Sequence, residues 1–420
     1  MNNLKKIGAV GGAISLALCW PLAVGQIGQN VIEDAVAKLN SAQLQAEIVK
    51  YDRGYRTSEV TTRYTIVDPV LVEQFETDGL PLVYEMQSRL THGLTSLDSV
   101  SDLVGEQALP LHIEATTQLN GNTDFVATID SWNFVSDSEG VAVSTAPMKL
   151  SGNATVLGDV DFVLDVPSIQ FDFSSGESLH VGNLTGNGKG KHKNGYWLGQ
   201  QDIRLGEFQV ADASAQSLFG LYDAQYLGET KPDTKGERLA SVFTFKSKKL
   251  LMSDGSEVKD LNLDFSLTNL DMQSFDKLMD VYQNAASLTQ EEVQSLMPHI
   301  DTLFEKGFDV AVKNLSLKLG EGIFENTWNL SMPQGTAQVT QDPMKIMTSM
   351  TGDLSTYFSD ELVAEYPFIQ EGVDELMVME ILQQVEGGYT LKAKIAEGKL
   401  MFDNGQQFPL LALLMPALMQ

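Results

Sequence analysis

The side chains able to do chemistry in this chain are few and dispersed. Five histidines, His92, His112, His180, His192 and His299, are spread over 420 residues, and no two stand at a spacing that would share a metal. The one cysteine, Cys19, lies in an apolar N-terminal run, so the rest of the chain can form neither an internal disulfide nor a thiolate metal site. No serine occupies a Gly-x-Ser-x-Gly elbow, and no His-Glu-x-x-His occurs. Gly186-Asn187-Gly188-Lys189-Gly190-Lys191 has the outline of a phosphate loop. A true one needs serine or threonine after its lysine at a helix start, and here His192 follows in strand-like surroundings. The expectation is therefore a flexible hairpin tip, with Lys189, Lys191 and Lys193 offering the densest basic cluster to any anionic partner. Asp159, Asp161 and Asp165 share one strand face, as solvated carboxylates do, whereas a calcium loop would wrap the chain around a glycine turn. These absences lead to a non-enzymatic expectation, with no catalytic residue, no cofactor and no metal.

The elements that would position any site are mostly strands. Val60, Thr62, Tyr64 and Ile66 alternate with polar neighbours, and so do Val160, Phe162, Leu164 and Val166, Leu261 through Leu267, Leu315 through Leu319, and Tyr389 through Ile395. One wet and one dry face per strand is the pattern of antiparallel sheet. Turn residues recur between the runs, as in Ser253-Asp254-Gly255-Ser256 and Asp403-Asn404-Gly405. Helical stripes are few. Asp68-Pro69 opens a short one, Met272 to Tyr282 carries another, and Thr289 with Glu292 forms a capping box for a third that Pro298 should kink or divide. Asp342-Pro343 starts a fourth, and Val373, Leu376, Met377, Ile381 and Val385 mark a fifth. The expected fold class is α+β: an N-terminal membrane helix, then an extended, mostly antiparallel sheet of hairpins. A few amphipathic helices would cover that sheet, concentrated in the C-terminal third. Residues 1–42 read as a signal-anchor and connecting helix, and 43–420 as one strand-rich domain with a subdivision near 270. The uncharged run Phe408–Met419 is too short to cross a bilayer and should cover a sheet.

Charge and targeting fix the compartment. Lys5 and Lys6 precede an uncharged run from Ile7 to Gly25, which as a helix would span roughly 28 Å at about 1.5 Å per residue. The lysines would stay cytoplasmic, placing everything after Gly25 outside. An uncleaved anchor and a signal peptide cut near Gly25 both fit, since Ala23-Val24-Gly25 offers small residues at cleavage spacing. A net charge of -28 repels nucleic-acid phosphates and suits an acidic, soluble domain.

Tyr51-Asp52-Arg53-Gly54-Tyr55-Arg56-Thr57-Ser58 is the most distinctive stretch: a hairpin in which Gly54 should supply positive φ, the tyrosines pair across strands, and Arg53 stands near the turn. Together with His92-Gly93 after a strand, Tyr389-Thr390-Leu391, Gly398-Lys399-Leu400, Asn404-Gly405 and Pro409-Leu410, it resembles the YdgA-like family of bacterial envelope proteins, whose biochemical function is unknown. The resemblance implies an uncleaved single-pass inner-membrane anchor, residues 7–25, with the bulk of the chain in the periplasm. It singles out Tyr51, Arg53, Gly54, Ser58, His92 and Gly93 as motif residues, structural before functional. The leading expectation is a membrane-anchored periplasmic scaffold or binding module. The alternative is a lipid- or amphiphile-binding or transfer protein with an apolar sheet groove, and an envelope hydrolase with sparse motifs is a third class. A homo-oligomer, an envelope protein and a lipid are the partner classes left open; nucleic acid is excluded.

Overall fold

The computed structural model describes residues 28–411 apart from 31, 34, 35, 38, 42, 78–80, 106–108, 137–139, 194–195 and 285–288. Its residues form two compact units, one from residues up to Gly176 with Thr185–Lys189, the other from Glu177–Leu184 with Gly190 onward.

The first unit holds β1 (Leu44–Arg53), β2 (Thr57–Ile66), α1 (Pro69–Thr77), β3 (Val83–His92), β4 (Ser96–Val104), β5 (Leu111–Gln118) and β6 (Thr123–Ile129). It continues through β7 (Trp132–Ser136), β8 (Val141–Thr145), β9 (Met148–Ala154) and β10 (Val160–Phe173). Strands β1 to β6 form an antiparallel meander. The β7–β8 hairpin is then an excursion: β6 pairs with β9, β9 with one end of β10, and β8 with the other end of β10. Asp68 caps α1, its Oδ1 accepting from the Val70 and Leu71 amides at 3.0 Å, as the Asp-Pro pair leads one to expect.

β11 (Ser178–Lys193) has residues in both units. The second unit continues with β12 (Tyr196–Ala211), β13 (Ser217–Pro232), β14 (Arg238–Leu251), β15 (Glu257–Asp271), α2 (Met272–Asn284), α3 (Gln290–Lys306), β16 (Phe308–Leu319) and β17 (Gly322–Met332). It ends with α4 (Met344–Ser349), β18 (Thr351–Ser359), α5 (Asp360–Glu365), α6 (Pro367–Val378), β19 (Gln383–Val385), β20 (Gly388–Ala396), β21 (Lys399–Phe402) and β22 (Gln407–Pro409). Each of β12 to β18 pairs antiparallel with the next, and β18 then pairs with β20. Aspartates and asparagines close the turns by accepting backbone N–H groups, as Asp212, Asp233, Asp254 and Asn404 do.

The α+β expectation needs correcting. Strands make up most of the described chain. The helices are not concentrated in the C-terminal third, for α1 lies in the first unit and α2 begins at Met272. Neither do they blanket the sheet. In the second unit they pack on β15, β17, β18 and β20, while among the described residues no helix makes a substantial contact with β5, β6, β9 or β10. The expected membrane helix, residues 7–25, lies outside the described residues. Among the described residues no helix is long and apolar enough to cross a membrane. The run Phe408–Met419 also falls largely outside them. Two helical readings change in detail. Pro298 does not divide α3, which runs unbroken from Gln290 to Lys306 with its Thr289–Glu292 capping box formed. The last stripe overshoots: α6 stops at Val378, and Ile381 and Leu382 are buried beyond its end while Val385 joins β19.

The cores are small and local. In the first unit Val60, Leu90 and Leu97 are buried together, with Ile32, Ile48 and Tyr51 packed against them. In the second, Val363 of α5 and Val373 of α6 are buried with Leu382, and Ile381, Ala393 and Phe402 form another cluster.

Gly54 sits in the β1–β2 turn as expected, but without a positive φ. What requires glycine is space: a Cβ there would lie 2.7 Å from the Thr57 carbonyl oxygen, which accepts the Gly54 amide at 2.8 Å. Gly93 repeats the device against Ser96, at 2.8 Å. Gly54→Val should therefore lower stability by about 1–3 kcal/mol, through backbone displacement rather than φ strain. Thermal unfolding of variant and parent checks this; equal midpoints would show that the turn yields freely.

Candidate functional site

The motif residues converge. β2 pairs with β3 so that Ser58 stands opposite Leu90 and beside His92. The Ser58 hydroxyl and His92 Nε2 are 2.9 Å apart, and His92 Nδ1 faces the Tyr55 carbonyl at 3.4 Å. A carbonyl can only accept, so Nδ1 carries the proton and Nε2 accepts from Ser58. The Tyr51 hydroxyl is buried near this pair and finds no hydrogen-bond partner among the described residues. Burial pushes its pKa up, with Ser58 and Arg53 opposing. Arg53 and Ser58 form the closing pair of the hairpin, and Gly54 and Gly93 make the tight turns at its end and at the neighbouring one.

Chemically this is a nucleophile hydrogen-bonded to an oriented base. Its burial decides what it does: Ser58 is 1% exposed and His92 3%, so no substrate reaches the hydroxyl. The pair ties β2 to β3 beside the Val60–Leu90–Leu97 cluster. Sequence placed these residues in one motif but could not show that positions 34 apart touch. Ser58→Ala should leave His92 Nε2 buried without a partner and lower stability by about 1–3 kcal/mol. Chemical denaturation measures it, and an unchanged midpoint would mean that the hydrogen bond contributes nothing.

The remaining sequence candidates are separated. Gly186–Lys191 is not a hairpin tip; it lies inside β11. Two lysines of the basic cluster are already engaged: Lys189 meets Asp161 at 3.4 Å and Lys193 meets Asp276 at 2.6 Å. Asp276 also accepts from the Tyr196 hydroxyl, whose pKa is pushed up by burial and by that carboxylate. Asp161 and Asp165 are exposed on β10, and Asp159 precedes it. His180 and His192 lie in β11 and His299 in α3. Among the described residues no group of three His, Cys, Asp or Glu side chains could hold a metal ion.

His112 has a charged setting. It stands on β5 opposite Asp102, with Nδ1 2.7 Å from the Asp102 carboxylate and Nε2 3.4 Å from that of Glu114. Hydrogen bonds to Asp102 and then Glu114 raise its pKa above the usual 6.5. A raised pKa means that the contribution of this cluster is fully present below the unfolded value and fades as pH climbs through the folded one. NMR titration should place the His112 midpoint above 6.5, and Asp102→Asn should bring it down. A midpoint unmoved by that change would refute the pairing.

The strands of each unit divide their sheet into two unlike faces. In the second unit Phe243, Phe265, Val312, Trp328, Leu354, Ala393 and Phe402 are successive cross-strand partners, one each from β14, β15, β16, β17, β18, β20 and β21. Six strand spacings of about 4.8 Å make this row about 29 Å long. Phe243 stacks with Tyr226 and with Phe265, at 6.0 and 6.1 Å between centroids. Val312, Ala393 and Phe402 are buried, but Phe243, Phe265, Trp328 and Leu354 are only half-buried. In the first unit one row joins Ala115, Phe125, Gly152 and Phe162, and the next joins Ile113, Ala127, Leu150 and Leu164. All of them are half-buried as well. The opposite faces carry the charges: Asp98, Thr116, Asp124, Asn153 and Asp161 form one such row.

A bacterial protein family of unknown function (DUF945) matches residues 4–411. No curated protein and no solved structure matches the chain.

Proposed function

Because the chain belongs to the DUF945 family of bacterial proteins, whose function is unknown, we propose a function from the faces of its sheets: non-catalytic binding of a lipid-like amphiphile whose acyl chains lie on the apolar side. The observation that carries this reading is the row from Phe243 to Leu354. It is contiguous across five strands and free of charge, and all of it but Val312 is left half-buried by helices that cover only its margin. Soluble proteins rarely leave a large contiguous apolar patch without a use. A flexible hydrocarbon chain needs no hydrogen-bond partners, and the row offers it almost none. Buried area supplies the affinity, at about 25 cal/mol per Å².

The same reading includes the location. Lys5 and Lys6 before the uncharged run Ile7–Gly25, with the motif resemblance to the YdgA-like envelope proteins, favour a single inner-membrane anchor and a periplasmic domain. A lipid would then be the nearest abundant ligand. Nothing in the Ser58–His92 pair calls for catalysis, since it is sealed.

The experiment uses the full chain, purified in a mild non-lipid detergent. Mass spectrometry of its extract should find co-purified lipid, and a fluorescent fatty acid should bind saturably. Phe265→Glu puts a carboxylate in the middle of the row and should weaken that binding about tenfold or more, with far-ultraviolet circular dichroism unchanged. Equal binding by a folded Phe265→Glu variant, or an extract without lipid together with no saturable uptake, would sink the proposal.

A further inference from the structure

Four hairpin turns of the first unit lie at one end of its sheet. They are residues 54–56 between β1 and β2, 93–95 between β3 and β4, 119–122 between β5 and β6, and 155–159 between β9 and β10. The ladders hold them level. The His92 amide donates to the Arg56 carbonyl at 2.7 Å, Ser96 stands opposite Gln118, and Thr123 opposite Ala154. The buried Ser58–His92 hydrogen bond fastens the first two turns side by side. Neighbouring turns are two strands apart, so at about 4.8 Å per strand they follow one another every ~10 Å along an edge of about 29 Å.

Each turn carries an exposed large apolar side chain: Tyr55, Leu94, Leu119, and Val156 with Leu157, which keep between 45% and 77% of their surface open. The charges at this edge are Arg53, Arg56 and Asp159, a small positive balance in a chain of net charge -28. Connections at the other end have the opposite character. Between β2 and β3 and between β4 and β5 the sequence holds Asp68, Glu73, Glu76, Asp78 and Glu106, with no lysine or arginine.

The chain enters the described structure at the same edge. Gly28 lies against Leu97, where a Cβ would stand 2.6 Å from the leucine side chain, and Leu97 faces His92 at the foot of the second turn. Helical residues 28–30, 32–33 and 36–37 lead away from it to Asn40, whose side chain bonds both ways with Ala46 near the start of β1. The uncharged run Ile7–Gly25 stops three positions before Gly28, a reach of at most about 11 Å. The anchor proposed above would therefore leave this unit beside the turns.

We propose that this edge dips into a lipid bilayer. Leu94, Leu119, Val156 and Leu157 enter the upper acyl region, Tyr55 stays at headgroup level, and the two arginines meet anionic lipid phosphates. A bilayer closes around each separate tip, whereas a protein partner would need a matching socket every ~10 Å. The turns carry the proposal, which does not depend on the apolar row of the second unit; the anchor is a second pointer to the same edge.

The full chain in vesicles of phosphatidylethanolamine and phosphatidylglycerol tests this. A nitrobenzoxadiazole label, sensitive to its surroundings, is placed on L94C, L119C, L157C or V70C, each in a C19S background. Val70 is the control, because it is 72% exposed but stands at the other end, on α1. Nitroxide groups on the lipid acyl chains should remove most of the emission at the three turn positions and leave that at position 70 unchanged. Replacing phosphatidylglycerol with phosphatidylcholine should weaken the quenching, and R53Q with R56Q should abolish that dependence. Turn labels as unquenched as the one at position 70, on protein that the vesicles retain, would overturn the proposal and leave the anchor standing. Protein that the vesicles do not retain would overturn both. Turn labels shifted to the blue without quenching by the lipid would place a second copy or another protein on the edge, and would overturn the proposal as well.

Discussion

The structure rests on cross-strand register. Each antiparallel ladder brings a residue of one strand opposite a residue of the next, and the two-residue period keeps all apolar side chains on one side. A slip by one position would turn Phe243, Phe265 and Trp328 outward and bring Thr244, Asp264 and Thr327 in their place. The alternation therefore specifies the pairing as firmly as the backbone bonds hold it. Where the register does shift, as between Val312 and Leu315, a bulge absorbs the extra residues and the apolar side is kept on both flanks.

This economy has a consequence for stability. Side chains within a row cover one another, while fully buried clusters form only where something packs on top. Ile32 does so on Val60, Leu90 and Leu97, and α5 and α6 do so on Phe358, Tyr389 and Leu391. Polar ties serve the remaining sites. Ser58 and His92 join β2 to β3, and the buried hydroxyls of Thr230 and Ser241 meet at 2.9 Å between β13 and β14. Asp271, nearly buried at the end of β15, is pushed up by burial, but Lys306 and Ser274 outweigh this and hold its pKa below the usual carboxylate range. Arg238 donates to the carbonyls of Asn269, Lys306 and Gly307, fastening the end of α3 to the sheet.

The two faces also set the functional reading. Hydrocarbon suits the side where Phe265 and Trp328 stand, and water suits the side where Lys392 and Lys394 stand. Charged residues of both signs keep that side wetted.

Much of this was legible in the residues themselves. The alternation of Val160 to Val166, of Leu261 to Leu267 and of Tyr389 to Ile395 identified strands and their dry sides, because period two is a local property. The Thr289–Glu292 capping box and the Asp68-Pro69 start were readable for the same reason. Tertiary structure alone decided the rest. Whether a dry side is covered depends on which helix folds back over it, and no local pattern encodes that; the expected blanket of late helices proved to be a margin. Ser58 and His92 meet only because two hairpins share a register. Gly54 is needed for the nearness of the Thr57 carbonyl rather than for its own φ. Phe243, Phe265, Trp328 and Leu354, up to 111 positions apart, form one row through ladder geometry that a linear chain does not display.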